Sequence, residues 1–178
     1  MFVSEVKTKP PKEFASDLQE CVYKALAELE IPFERVDTGD AVTMEDCIEI
    51  DKKLSCKVVK TLFLCNRQKT NYYLFVTPGD KPFVTKDFGK ALGVSRVSFA
   101  PSDLLLDMMQ TKVGATTVYS LLLDSANDVR IVIDKEVLNE ENYGCTDGTF
   151  NCYMKVKTAD ILEKLIPHTG HTAEIIEV

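Results

Sequence analysis

Lys60 is the residue whose setting most suggests chemistry. It lies in Lys57-Val58-Val59-Lys60-Thr61-Leu62-Phe63-Leu64, a β-branched, aromatic and aliphatic run with no Gly or Pro. Such a run predicts a buried strand. Strand alternation puts Val58, Lys60, Leu62 and Leu64 on one face. An ammonium among aliphatic neighbours costs free energy unless it snorkels to water or lines a cavity with an anionic partner. The local pattern leaves both readings open. Two further stretches can approach a ligand. Gly114-Ala115-Thr116-Thr117-Val118 offers backbone N–H groups among small side chains. Tyr143-Gly144-Cys145-Thr146-Asp147-Gly148-Thr149-Phe150-Asn151 carries an Asp-Gly turn signal and a carboxylate acceptor.

The other reactive side chains do not assemble. The six cysteines (Cys21, Cys47, Cys56, Cys65, Cys145 and Cys152) form no CxxC pair and no zinc-module spacing, and read as reduced structural thiols. The two histidines are His168 and His171. Their HxxH spacing falls past a helix end with no third ligand in view, so it reads as structural, and neither metal nor other cofactor is expected. No Ser-His-Asp set or Cys-His pair is visible, and a histidine base is not expected.

The 178 residues suit one domain over 1–178, with residues 1–10 as an N-terminal arm. No apolar run is long enough to span a membrane, and the first residues lack a signal-peptide pattern, so a cytoplasmic protein is expected. The net charge of −7 argues against a nucleic-acid binder, but its distribution is uneven. Lys52 to Arg96 holds ten basic residues against Asp80 and Asp87, a local +8 that leaves −15 on the remainder. That is compatible with one basic face on an acidic body, and equally with an ordinary solvated lysine surface.

The elements that must position these residues follow in order. Phe14, Leu18, Val22, Ala25 or Leu26, and Leu29 recur at helical spacing, ended by Pro32, and Phe33–Val36 is a short strand. Asp37 to Asp40 is turn chemistry, and Thr43 with Asp46 predicts a capped helix to Leu54. The lysine strand Lys57–Cys65 returns as a hairpin partner, Tyr72–Thr77, closed by Pro78-Gly79-Asp80-Lys81. A helix over Lys86–Leu92 stopped by Gly93, a strand over Arg96–Phe99 and a helix from Ser102 to Met109 come next. Leu104, Leu105, Met108 and Met109 read as core rather than a binding surface. Tyr119–Leu123 and Val129–Asp134 read as a hairpin. Cys152–Val156 is a strand, Thr158 caps a helix to Ile166, and Ala173–Val178 is the last strand.

Lys60-Thr61-Leu62-Phe63-Leu64 resembles the Lys-Asn-Leu-Phe-Leu strand of the YbaK/ProX family of free-standing prolyl-tRNA editing proteins. Relatives of these aminoacyl-tRNA deacylases occur as the editing insertion of bacterial prolyl-tRNA synthetases. Pro78-Gly79-Asp80-Lys81 resembles a turn of that family. Leu121-Leu122-Leu123-Asp124 is similar to its Leu-Leu-Asn-Asp, and Thr169-Gly170-His171 to its Thr-Gly-His tail. No single piece is specific; their order along the chain, from about Leu26 to Val178, carries the resemblance.

The resemblance implies an α+β fold with a mixed, strongly curved β-sheet flanked by helices. It implies that Lys60 is the catalytic lysine. Gly114–Val118 stands where the family has a Gly-x-x-x-Pro loop at the aminoacyl end of tRNA, which makes Gly114, Ala115, Thr116 and Val118 substrate-binding residues. Val118 replaces the proline. Asp124 either orients that loop or is an ordinary turn aspartate. Asp147-Gly148 stands for the His-Pro of a Gly-x-His-Pro-x-x-Asn stretch, with Asn151 matching the asparagine. Asp147 there either reads the α-ammonium of the amino acid or merely makes the turn. The implied activity is hydrolysis of the ester of mischarged tRNA, alanyl-tRNA(Pro) first. The implied partners are the 3′ aminoacyl end of tRNA and prolyl-tRNA synthetase, with no membrane and no metal. A non-catalytic aminoacyl-tRNA-binding module and a synthetase-associated interaction domain are the other readings.

Overall fold

The computed structural model describes residues 1–39 and 44–178. In chain order the elements are α1 (Asp17–Glu28), β1 (Glu34–Asp37), α2 (Met44–Leu54), β2 (Val59–Asn66), β3 (Tyr72–Pro78), α3 (Thr85–Leu92), β4 (Val97–Phe99), α4 (Ser102–Met109), β5 (Val129–Asp134), β6 (Asn142–Thr146), β7 (Cys152–Lys157) and β8 (Glu174–Ile176). They build a mixed α+β fold. The expected mixed sheet is a five-stranded one, ordered β4-β2-β3-β5-β8, antiparallel at β4-β2-β3 and parallel at β3-β5-β8. A second, antiparallel sheet, β1-β7-β6, meets it, among the described residues, at a bridge between Val58 and Gly144.

Alternation along the strands divides the core. Phe63, Leu74, Val76, Ile131 and Ile133 point to one side and pack with Leu18, Val22 and Leu26 of α1. Leu64, Phe75 and Val132 point to the other, against Phe88 of α3. Phe75 and Phe88 meet edge to face with ring centroids 4.9 Å apart. Ser16 starts α1, its hydroxyl accepting from the Gln19 N–H at 3.1 Å. Phe14 therefore lies before the helix rather than in it, stacked on Tyr23. The expected Thr43 cap of α2 lies outside the described residues. The N-terminal arm is tied down along β1 by bridges Val3 to Thr38 and Lys7 to Arg35.

The expected hairpin over Tyr119–Leu123 and Val129–Asp134 is corrected. Val118–Leu122 is a 3-10 helix, followed by another over Asp124–Ala126, and β5 instead lies parallel to β3. Val118, Tyr119, Ser120 and Leu121 are all buried, so the run shows no alternation that would tell strand from helix. Local hydrogen bonds decide it. The Thr117 hydroxyl accepts from the Tyr119 N–H, and the Ser120 hydroxyl donates to the Met109 carbonyl at 2.7 Å. The C-terminal helical segment runs through a wide π turn over Ile161–Leu165 and on to His168, past the expected end at Ile166.

Asp147 joins α1 to the β6–β7 turn. It is fully buried, and no cation pairs with it among the described residues. One carboxylate oxygen accepts from Gln19 Nε2 and from the Tyr23 hydroxyl, both at 2.8 Å. The other accepts from the Thr149 N–H at 3.2 Å and the Thr149 hydroxyl at 2.7 Å. Burial first, and the Asp147 charge second, push the Tyr23 hydroxyl far above its ordinary range, so it stays a donor. Removing the acceptor strands these donors in the core. Asp147→Ala is expected to cost about 3 kcal/mol in urea unfolding. A stability equal to wild type would show that the network contributes nothing.

Candidate active site

The lower half of β2 is an open edge. Its inner side is paired with β3 from Val59 to Cys65. Its outer side is paired with β4 only from Leu64 to Asn66, and the Phe63 carbonyl takes one further bond from the Ala100 N–H at 3.0 Å. At the far end Gly144 closes on Val58. Between these two contacts opens a cavity of about 660 Å³. Its walls come from α2, the end of β4, Leu105 of α4, the 113–116 loop and β6. A second cavity of about 30 Å³ behind Phe75 and Lys81 has room for little more than a water.

Lys60, Gly114 and Thr116 all line the large cavity, although they lie far apart in sequence. Lys60 is half-buried, and its ammonium donates to the Lys81 carbonyl at 2.5 Å. No carboxylate comes within ion-pair distance of it among the described residues. The Pro78-Gly79-Asp80-Lys81 turn thus holds Lys60 by a neutral acceptor and leaves its charge available. The Lys81 side chain is itself committed, to Asp134 at 3.0 Å and Glu136 at 2.7 Å. Gly114 has φ +95°, a left-handed backbone suited to glycine, and its α-carbon side is backed by Phe150.

The remaining sequence-predicted residues are not in the lining. Ala115 is buried behind the loop, where its carbonyl accepts from the Thr146 hydroxyl at 3.1 Å. Val118 is fully buried in the main core and supports the loop from behind. Asp124 is exposed in its 3-10 turn, and Asn151 is exposed with its carbonyl accepting from the Thr38 N–H. Asp147 is corrected as an ammonium reader, because its two oxygens are used by Gln19, Tyr23 and Thr149 away from the cavity. The loop residue that reaches the cavity is Thr146, one place earlier.

Thr61, Asp51, Asp80, Cys145 and Phe99 line the cavity without having been singled out from the sequence. Thr61 adjoins Lys60, which was the available signal. Asp51 accepts from the Val58 N–H at 2.9 Å. Burial pushes its carboxyl up, against the Val58 hydrogen bond and the Lys57 charge that hold it down. The Cys145 and Cys47 thiols are pushed up chiefly by burial, which keeps them protonated at neutral pH and poor as nucleophiles. His168 is exposed and outside the lining. His171 lies between the Thr169 hydroxyl, 2.7 Å away, and the Ala126 carbonyl, 2.9 Å away. The described lining therefore offers one cation outside any ion pair, the Asp51 and Asp80 carboxylates, hydroxyls and backbone groups, a set suited to holding an ester-bearing ligand against water.

Residues 38–164 match the model of the aminoacyl-tRNA editing domain. The chain is 26% identical over 162 residues to the prolyl-tRNA editing protein ProX of Acetoanaerobium sticklandii, covering 91% of this chain and 98% of that one. It is 30% identical over 125 residues to the prolyl-tRNA synthetase associated domain-containing protein 1 of Mus musculus, covering 69% and 73%. A crystal structure of a protein proposed as a trans-editing enzyme for prolyl-tRNA synthetase has the same fold, with TM-score 0.66 at 13% identity over 93% of this chain and 99% of that chain.

The turn beside Lys60 tolerates no side chain at Gly79, since a Cβ there would lie 2.4 Å from the Val58 carbonyl oxygen. Gly79→Ala must shift the turn, at about 1–3 kcal/mol. Urea unfolding should show that loss, and the Val58 and Lys81 amides should move in the NMR spectrum. Unchanged stability and spectrum would mean that the turn is not held against β2.

Proposed function

The chain belongs to the aminoacyl-tRNA editing domain family, and on that premise we propose that it is a trans-editing deacylase that hydrolyses the ester of mischarged tRNA, with alanyl-tRNA(Pro) as substrate. The observation that carries this reading is the convergence of Lys60 and the Gly114–Thr116 loop on one cavity. Names of relatives point the same way, to editing of prolyl-tRNA and to association with prolyl-tRNA synthetase. The synthetase is accordingly the proposed partner, and the cytoplasm the proposed compartment. Among the described residues no helix is long and apolar enough to cross a membrane.

The reaction needs little covalent help from the protein. A water attacks the ester carbonyl, assisted by the 2′-hydroxyl of the terminal ribose, and the 3′-oxygen leaves with a proton. Lys60 exchanges the neutral Lys81 carbonyl for the oxygens of the ester or of the adjacent phosphate, and its charge gains as negative charge develops. The Gly114 loop and Thr146 wall the carbonyl from the other side. A buried, protonated Cys145 adds bulk rather than a nucleophile. Neither histidine contributes.

Lys60→Ala should lower deacylation of alanyl-tRNA(Pro) about a hundredfold or more. The melting temperature should stay near wild type, because this half-buried side chain fills little core volume. Ester release and tRNA retention are to be measured separately over a panel of mischarged tRNAs. Retention without release in the wild type would replace the enzyme by a binding module. Full activity of Lys60→Ala would remove Lys60 from the mechanism.

A further inference from the structure

The unpaired edge of β2 carries a second recognition element beside Lys60. Along an antiparallel strand, the N–H and C=O of one residue point to the same side, and successive residues alternate. The Asn66 N–H is bonded to Asn71 across the β2–β3 hairpin, whereas the Phe63 carbonyl is bonded to Ala100 on the β4 side. Even-numbered residues of β2 therefore turn their peptide groups inward, and odd-numbered ones outward. Thr61 lies opposite Val76 in β3 as a non-hydrogen-bonded pair, so its N–H and C=O both face the cavity edge. β4 begins pairing only at Leu64, and Gly144 reaches only Val58. No described backbone or side-chain group is bonded to the Thr61 peptide. An N–H and a C=O at a cavity wall require partners, from water or from a ligand.

We propose that the aminoacyl group of the substrate docks on Thr61 as a single residue of antiparallel strand, its ester carbonyl accepting from the Thr61 N–H and its α-ammonium donating to the Thr61 carbonyl. This rests on the deacylase reading and adds to it the group that holds the reacting carbonyl. An aminoacyl ester has an N–H donor and a C=O acceptor on either side of one α-carbon, the pairing set of an extended residue. The Thr61 N–H would then lie against the oxygen on which charge develops, one residue from the Lys60 ammonium. The ammonium is held by a backbone carbonyl in this arrangement, with Asp147 committed elsewhere and Asp51 and Asp80 in the surrounding wall. The aminoacyl side chain projects from the edge toward the cavity wall, where its size can be sensed. The small Ala100 and the larger Leu105 both lie in that wall.

The test uses ¹⁵N-labelled full-length protein titrated with 3′-alanylamino-3′-deoxyadenosine, a non-hydrolysable mimic of the terminal nucleoside. The Thr61 amide is expected to move downfield and become protected from hydrogen exchange. Binding with the Thr61 amide unmoved would overturn the proposal. Kinetics supply the second arm. Propionyl-tRNA lacks the ammonium, and wild type should cleave it about tenfold more slowly than alanyl-tRNA. Thr61→Pro removes the outward N–H without removing a ladder bond, a place where strands tolerate proline. Its kcat on alanyl-tRNA should fall about a hundredfold, with less change in KM. A folded Thr61→Pro protein of wild-type kcat, or equal cleavage of the two esters, would overturn the proposal while leaving the deacylase reading intact. Conversely, a protein whose Thr61 amide engages the mimic but which cleaves no aminoacyl-tRNA would sustain the docking and overturn the deacylase reading.

Discussion

The site exists because β2 is bonded along its whole inner edge and only partly along its outer one. β4 is three residues long, and Ala100 makes the last bond to β2 before Pro101 turns the chain into α4. From the other side Gly144 packs so closely on Val58 that a Cβ there would be 2.8 Å from the Lys57 carbonyl. Neither contact extends to Thr61. A strand edge in that condition ordinarily invites pairing with another chain. Here α2, α4, the 113–116 loop and β6 close around it, so the edge becomes the floor of a cavity rather than an exposed seam.

Charged groups near the site have separate tasks. Asp134 and Asp147 are fully buried and fully bonded, Asp134 to Thr77 and Lys81, and Asp147 to α1 and its own turn. Buried carboxylates so bonded fix geometry rather than meet a ligand. Lys60 is the complement, with a single neutral acceptor. The basic segment noted in the sequence is partly neutralised, since Lys53 pairs with Glu5, Lys57 with Glu140 and Lys81 with Asp134 and Glu136. Exposed pairs of this kind contribute little stability, but they confine the positive field to the residues left over.

Much of this was legible in the sequence wherever one residue type had a single physical use. An uninterrupted β-branched run gave β2, Gly93 at φ +72° ended α3, and the Pro-Gly-Asp-Lys turn closed β3. Lys60 stood out because an ammonium among aliphatic residues needs a reason. What was not legible was set by tertiary contact. Val118 to Leu121 are all buried, so the period of the run carries no information, and two hydroxyl hydrogen bonds made it helical. Asp147 had the residue type of a ligand reader and of a turn former, and only Gln19 and Tyr23, more than a hundred positions away, decide between them. Thr61 was hidden because its contribution lies in backbone groups, which every residue has; only the register of β4 leaves them uncovered.

The register of the smaller sheet also constrains how the protein comes into being. β1 can bond the N-terminal arm on one side early, but its other side has no partner until β7 is made, since Glu34 pairs with Lys155 and Asp37 with Cys152. β2, β3 and β4 can pair as soon as they are synthesised, because their contacts are close in sequence, whereas the β6 wall arrives some eighty residues after β2. During translation the growing chain therefore carries the lysine strand with its outer edge bare and its neighbours unmade. Non-local pairing of this kind makes folding slow, and the vulnerable period is the interval between emergence of Asn66 and emergence of Thr146.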